Sequence, residues 1–165
     1  GLSYTRASLD EIRAAMRGLR QSEGPTLEGM HLIAKLVDNF RTVTGMTITI
    51  DYANAHRTYS PDIDEVLYKM VQDSLSNAYR HGMASKVAII FQDYQGLLSL
   101  MVTDNGATTR NFVKGIGMEG MEERVATLGG KVHFEATDFG FSVTAEIPVP
   151  GESPEPAREE QTHGN

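Results

Sequence analysis

The run Lys86-Val87-Ala88-Ile89-Ile90-Phe91-Gln92-Asp93, the short Tyr94-Gln95-Gly96, and then Leu97-Leu98-Ser99-Leu100-Met101-Val102-Thr103 decide the fold. Both long runs are rich in β-branched and apolar residues, and the three between them carry a turn signal, so the stretch reads as two strands joined at a turn. Working backwards, Ser60 is placed to cap a helix, with Pro61 at its first position and Asp62 and Asp64 in its first turn. Val66, Leu67, Met70, Val71, Leu75 and Ala78 carry that helix on, and Gly82 is placed to end it. Residues 46–52 read as a strand. A helix from about Thr26, with Leu27, Met30, Ile33, Ala34 and Val37 on one face, is stopped by Gly45. A first helix over residues 3–20 carries Leu9, Ile12, Met16 and Leu19 as its stripe and is broken at Ser22-Glu23-Gly24-Pro25. Working forwards, residues 104–114 keep no period and read as a loop. Residues 117–128 read as a helix striped by Met121, Val125 and Leu128, and residues 131–137 and 141–149 as a closing hairpin. The last stretch, 150–165, holds Pro, Gly and Glu with almost no apolar residue and reads as a disordered tail. Strands joined by hairpins, with the helices gathered on one side, predict an α+β fold. The expected form is a two-layer sandwich of a mixed five-stranded sheet and about three helices, preceded by one N-terminal helix.

The 165 residues suffice for one domain with a proper core, and 40% hydrophobic with 22% charged residues is ordinary for a soluble chain. A formal charge of −7 argues against nucleic-acid binding, which needs a basic face. It leaves a small phosphorylated ligand open, since local groups hold such a molecule. Cysteine is absent, which removes disulfides, thiolate metal sites and thiol nucleophiles and fits a reducing cytoplasm. No apolar run approaches the roughly 20 residues of a spanning helix, so no membrane contact is expected. Gly1 running almost at once into a helical pattern reads as the start of an excised fragment or of a processed chain.

Chemistry-bearing residues gather at the joints. Asp73, Asn77 and His81 stand at i, i+4 and i+8, so one helix face stacks a carboxylate, an amide and an imidazole. Such a face can hold a divalent cation and reach phosphates, or simply be solvated. Asp104-Asn105-Gly106 closes an apolar strand. A carboxylate there can accept a hydrogen bond from a base amino group, though the same tripeptide is a common turn. Gly115-Ile116-Gly117-Met118-Glu119-Gly120 opens a helix, where exposed amides meet the positive end of the dipole and suit phosphates. It also fits the dinucleotide pattern, with Glu135 about 20 residues on. That fold is rejected: residues 104–114 separate the strand from the glycines, and a tight hairpin at residues 138–140 replaces the next crossover. Gly129-Gly130 reads as a helix cap and turn.

In their order these signals resemble the ATP-binding catalytic domain of bacterial sensor histidine kinases, members of the GHKL ATPase superfamily. Residues 71–81 look like the family's asparagine box, Asp104-Asn105-Gly106 like its first glycine box, and residues 115–130 like its second box and following helix. The resemblance covers about residues 46–149. It is closest to the short-lid kinases paired with helix-turn-helix response regulators, and implies the Bergerat-type ATP-binding fold. It divides the chain into the end of a dimerisation-type helix and linker (1–24), the catalytic domain (25–149) and the tail (150–165). It implies that Asn77 ligates the magnesium bridging the ATP phosphates and that Asp73 is catalytic with it. Arg80 and His81 would lie near the phosphates, and Asp104 would read the adenine amino group with Gly106 allowing close approach. Lys114, Gly115, Gly117 and Met118 would line the phosphate side. The chain departs from the family pattern at Asp73, where glutamate is usual, at Thr108, where glycine is usual, and at Phe139-Gly140-Phe141, which replaces Gly-Gly-Thr.

The resemblance implies γ-phosphoryl transfer from ATP to a histidine, which should be followed by an acidic residue. The histidines here precede Leu32, Arg57, Gly82, Phe134 and Gly164, so the acceptor is expected outside this chain. The implied partners are the dimerisation and phosphoacceptor domain of the same kinase and a response regulator. The implied location is cytoplasmic, free or as the inner part of a membrane-bound sensor. An anti-sigma-type serine kinase and a non-catalytic nucleotide-binding module are the alternatives. The stripe of the first helix is either surface bared by loss of a partner bundle or a face folded back on its own domain.

Overall fold

The structure is a computed structural model, and it describes residues 28–107 and 116–150. The expected helix over residues 3–20, the 1–24 segment, Lys114, Gly115 and the tail beyond Pro150 lie outside the described residues. The elements are α1 (Met30–Thr44), β1 (Thr47–Asp51), α2 (Pro61–Arg80), β2 (Lys86–Tyr94), β3 (Leu97–Asp104), α3 (Ile116–Thr127), β4 (Lys131–Thr137) and β5 (Gly140–Pro148). The five strands form one sheet in the order β1-β2-β3-β5-β4, with β1 parallel to β2 and every other pair antiparallel. This is the mixed α+β sandwich that the sequence predicts.

Alternation explains why the helices share one face. Ile89, Val102, Val143 and Phe134 form one row across the strands, and Phe91, Leu100, Ala145 and Val132 the next. Ile89, Phe91, Leu100 and Ala145 are fully buried, whereas Ile90 and Thr103 on the opposite face are exposed. The helices close over the buried face with Ile33, Leu36 and Val37 from α1, Leu67, Met70, Val71 and Leu75 from α2, and Met121 and Val125 from α3. Each such side chain taken out of water is worth about 2 kcal/mol, which makes this layer the main source of stability.

The ends of α2 show how local chemistry sets the boundaries. Ser60 Oγ accepts from the Ile63 amide at 3.3 Å, and Pro61 occupies the first turn, where a missing N–H costs nothing. Ser60→Ala is expected to destabilise the domain by about 1 kcal/mol. A chemical-denaturation midpoint that shifts down with an unchanged slope would show it.

At the other end α2 stops just before Gly82, as the sequence predicts, but for another reason. Gly82 does not take the left-handed cap conformation; Met83 does, at φ 50°. Gly82 is required for closeness instead: a Cβ on it would lie 3.0 Å from the Ala78 carbonyl and 3.4 Å from Gly106 Cα. The β2–β3 turn tightens to Gln95-Gly96, both at positive φ (50° and 78°), as a two-residue hairpin of matching twist demands.

At the pole near the start of α2, Asn54 Nδ2 donates to the Asp93 backbone carbonyl at 2.5 Å, and Asn54 Oδ1 accepts the Asp93 backbone N–H at 3.0 Å. The Tyr59 hydroxyl donates to the Asp93 carboxylate at 2.7 Å, and burial pushes its pKa above the ordinary 10.0. This cluster pins the β1–α2 connection and leaves the opposite pole to carry the site.

Candidate functional site

At that opposite pole the end of α2, the end of β3, the tip of the β4–β5 hairpin and the start of α3 converge. The last cross-strand row on the buried face is Val87, Asp104, Phe141 and Ala136, so a carboxylate closes this end of the face, as Asp93 in the row with Leu98 and Ile147 closes the other. Asp104 Oδ1 accepts the Gly106 amide at 2.8 Å, and the carboxylate also takes the backbone N–H of Phe141. Burial pushes its pKa above 3.8, and those two N–H groups pull the other way. A half-buried acceptor fixed by two amides suits the amino group of a planar base. Phe141 sits beside it in the same row, stacked on Phe134 at 6.2 Å and 21°.

Two backbone approaches build the wall. A Cβ on Gly106 would come within 2.5 Å of the Gly82 carbonyl, and one on Gly140 within 1.8 Å of the Asp104 carbonyl. Ala107 N–H donates to that same Gly82 oxygen at 2.8 Å. Asn105 staples the turn: its Oδ1 accepts the amides of Ser85 and Lys86, both at 2.9 Å, and its Nδ2 donates to Ser85 Oγ at 2.9 Å. Gly82, Asn105 and Gly140 were not among the expected site residues. Asn105 sits inside Asp104-Asn105-Gly106, but only the fold reveals its partners.

Of the residues expected near the phosphates, the structure brings together Asn77 on α2 and Gly117 in the first turn of α3. An ideal Cβ on Gly117 would stand 4.0 Å from both Asn77 amide atoms. Met118 is half-buried in the same turn, and Arg80 and His81 are exposed at the end of α2, where the His81 amide donates to the Asn77 carbonyl at 2.9 Å. Asp73, one turn before Asn77, is bonded by Arg124 of α3. Burial pushes the Asp73 carboxyl up, against the pull of Arg124 and Lys69. Arg124 is a further residue that the sequence reading did not single out, since its partner is 51 positions away.

The described residues hold no group of three or more His, Asp or Glu placed to bind a metal. A cation here would therefore be held by the Asn77 amide oxygen together with a ligand's own oxygens. That donor set fits magnesium, which keeps most of its shell as water and phosphate. No helix among the described residues is long and apolar enough to cross a membrane.

No protein-family model matches the chain. Among curated proteins it is similar to the sensor histidine kinase YxjM of Bacillus subtilis, 27% identical over 150 residues, 90% of this chain and 36% of that protein. It is 33% identical to the sensor histidine kinase LiaS of the same organism over 147 residues, 86% of this chain and 39% of LiaS. The chain thus spans well under half the length of these relatives. Among solved structures it overlays the histidine kinase domain of the blue-light activated kinase of Erythrobacter litoralis with a TM-score of 0.59, at 14% identity, covering 84% of this chain and 72% of that one. The ATP binding domain of PrrB from Mycobacterium tuberculosis overlays with a TM-score of 0.55, at 18% identity, over 70% of this chain and 88% of that one.

Proposed function

We propose, from the premise that this chain belongs to the sensor histidine kinases and carries their ATP-binding catalytic domain, that it binds ATP with magnesium and passes the γ-phosphoryl group to a histidine elsewhere. The observation that carries the proposal is the pairing at one pole of a half-buried carboxylate, Asp104, with an amide, Asn77, facing a helix N-terminus at Gly117. Magnesium, when bound, would offset negative charge on the phosphate oxygens. The chain's own part is positioning. Asp104 accepts from the base amino group, Gly82 and Gly106 let the backbone approach, and Asn77 orients the phosphates toward the first turn of α3, with Arg80 and His81 nearby. Lys114 and Gly115 complete the phosphate side in this proposal. The acceptor imidazole nitrogen attacks the γ-phosphorus, the bond to the β-bridging oxygen breaks, and ADP leaves with that electron pair.

The acceptor domain of the same kinase and a response regulator are the proposed partners, and the cytoplasm, where ATP is abundant, the proposed location. The serine-kinase alternative is not favoured, because the similar curated proteins quoted above are sensor histidine kinases. The test is incubation with magnesium, labelled ATP and an acceptor domain from a related kinase. Acid-labile phosphate on the acceptor is expected; acid-stable phosphate, or none, would overturn the reading.

The buried Asp104 adds a pH dependence. Only the ionised carboxylate accepts freely from a base, and its pKa is raised, so ATP affinity is expected to fall on acidification at a higher pH than an ordinary aspartate at 3.8 would give. Stability of the ligand-free domain runs the other way. A carboxyl with a raised folded pKa contributes stability that is full below 3.8 and lost as pH rises through the raised value. Calorimetric titration across pH, with Asp104→Asn flattening the profile, checks the first statement.

A further inference from the structure

Two residue pairs between α2 and α3 bear on the site. Asn77 faces Gly117, and Asp73, four residues earlier, is bonded to Arg124, seven residues later on α3. Spacings of four and seven keep each pair on one helix face, so the pairs form two rungs of a ladder. The lower rung is polar and largely covered, with the Arg124 and Asp73 side chains 35% and 32% exposed. Arg124 Nε is buried without a hydrogen-bond partner among the described residues, so this edge of the guanidinium is turned away from solvent while Nη2 holds the carboxylate.

A glycine makes that reach possible. Gly120 lies one turn before Arg124, and a Cβ on it would meet Arg124 Nη1 at 3.1 Å and Cζ at 3.7 Å. Glycine is a poor choice inside a helix, yet here its bare side is where the guanidinium folds back along α3.

We infer that Arg124 is a positioning residue which, seated by Gly120 and acting through Asp73, sets the gap between Asn77 and the first turn of α3 and so controls affinity for the phosphates of the nucleotide but not for its base. The inference rests on the nucleotide reading of the site. It also gives Asp73 a role that its short side chain suits: a fixed anchor for α3.

The experiment compares calorimetric binding of magnesium-ATP and of adenosine to the full chain and to Arg124→Ala, Asp73→Ala and the double variant. Each single change is expected to weaken ATP about tenfold, the scale of lost second-layer support at a metal site, and to leave adenosine unchanged. The double variant should lose no more than the weaker-binding single variant. Gly120→Ala, which improves helix propensity, should weaken ATP several-fold without lowering the melting temperature, and it serves as the test if Arg124→Ala does not fold. Losses that multiply in the double variant would mean the two side chains act separately, and adenosine weakening in step with ATP would mean the pair only supports the fold. Either result overturns the inference. Adenosine and ATP both failing to bind the unaltered chain would instead remove the nucleotide reading, and this inference with it.

Discussion

Asn77→Ala is expected to weaken magnesium-dependent ATP binding by about 100-fold or more and to abolish detectable phosphoryl transfer. Loss of an outer support at a metal site costs about 10–100-fold, so loss of a proposed direct ligand stands at or beyond the upper end. The amide lies half-buried at the edge of α2 and is not part of the apolar layer, so the fold should survive the change. The metal dependence is the discriminating readout. In the unaltered chain, removing magnesium should cost most of the ATP affinity; in the variant it should cost almost none. A variant that still gains affinity from magnesium would show that Asn77 is not the ligand.

The second large effect is on stability. Gly140→Ala should destabilise the domain by at least about 3 kcal/mol. Gly140 has φ +147°, a conformation that side-chain-bearing residues rarely adopt, and its Cβ would lie 1.8 Å from the Asp104 carbonyl and 2.8 Å from the adjoining carbon. Neither atom belongs to a flexible side chain, so β3 and the hairpin tip must separate. Gly45 is the natural comparison, since it too has positive φ (72°) but nothing within 4 Å of its Cβ. Gly45→Ala should cost only the conformational strain, about 1 kcal/mol. Equal losses in denaturant unfolding would show that strain alone, without collision, governs Gly140.

The strands were legible because their side chains alternate. Leu98, Leu100 and Val102 share a parity with Asp104, so the sequence already marks a carboxylate on the buried face at a strand end. The start of α2 was legible because Ser60 and Pro61 act within one turn. Its end falls just before Gly82, as the glycine signals, but glycine serves both left-handed backbone and close approach, and only the neighbour Gly106 tells that closeness is the reason here. The Asp73–Arg124 pair and the Asn105 staple were invisible for a different reason: each joins residues far apart in the chain, and no local period records such contacts. Asp73 could be named as chemically interesting, but not its partner.

The order of strands in the sheet also bears on how the domain assembles. β2–β3 and β4–β5 are hairpins closed by short turns and can form early, whereas β3 meets β5 only after α3 and β4 have intervened. Such non-local pairing has to overcome loop-closure entropy and tends to come late in folding. The Asp104–Phe141 pairing and the Gly140 contact both belong to that β3–β5 seam. The corner at Asp104, proposed above to hold the base, therefore exists only once the two halves of the sheet have joined. A ligand held there would favour the complete native state over every half-assembled one, so nucleotide should slow global unfolding and raise the protection of both hairpins together.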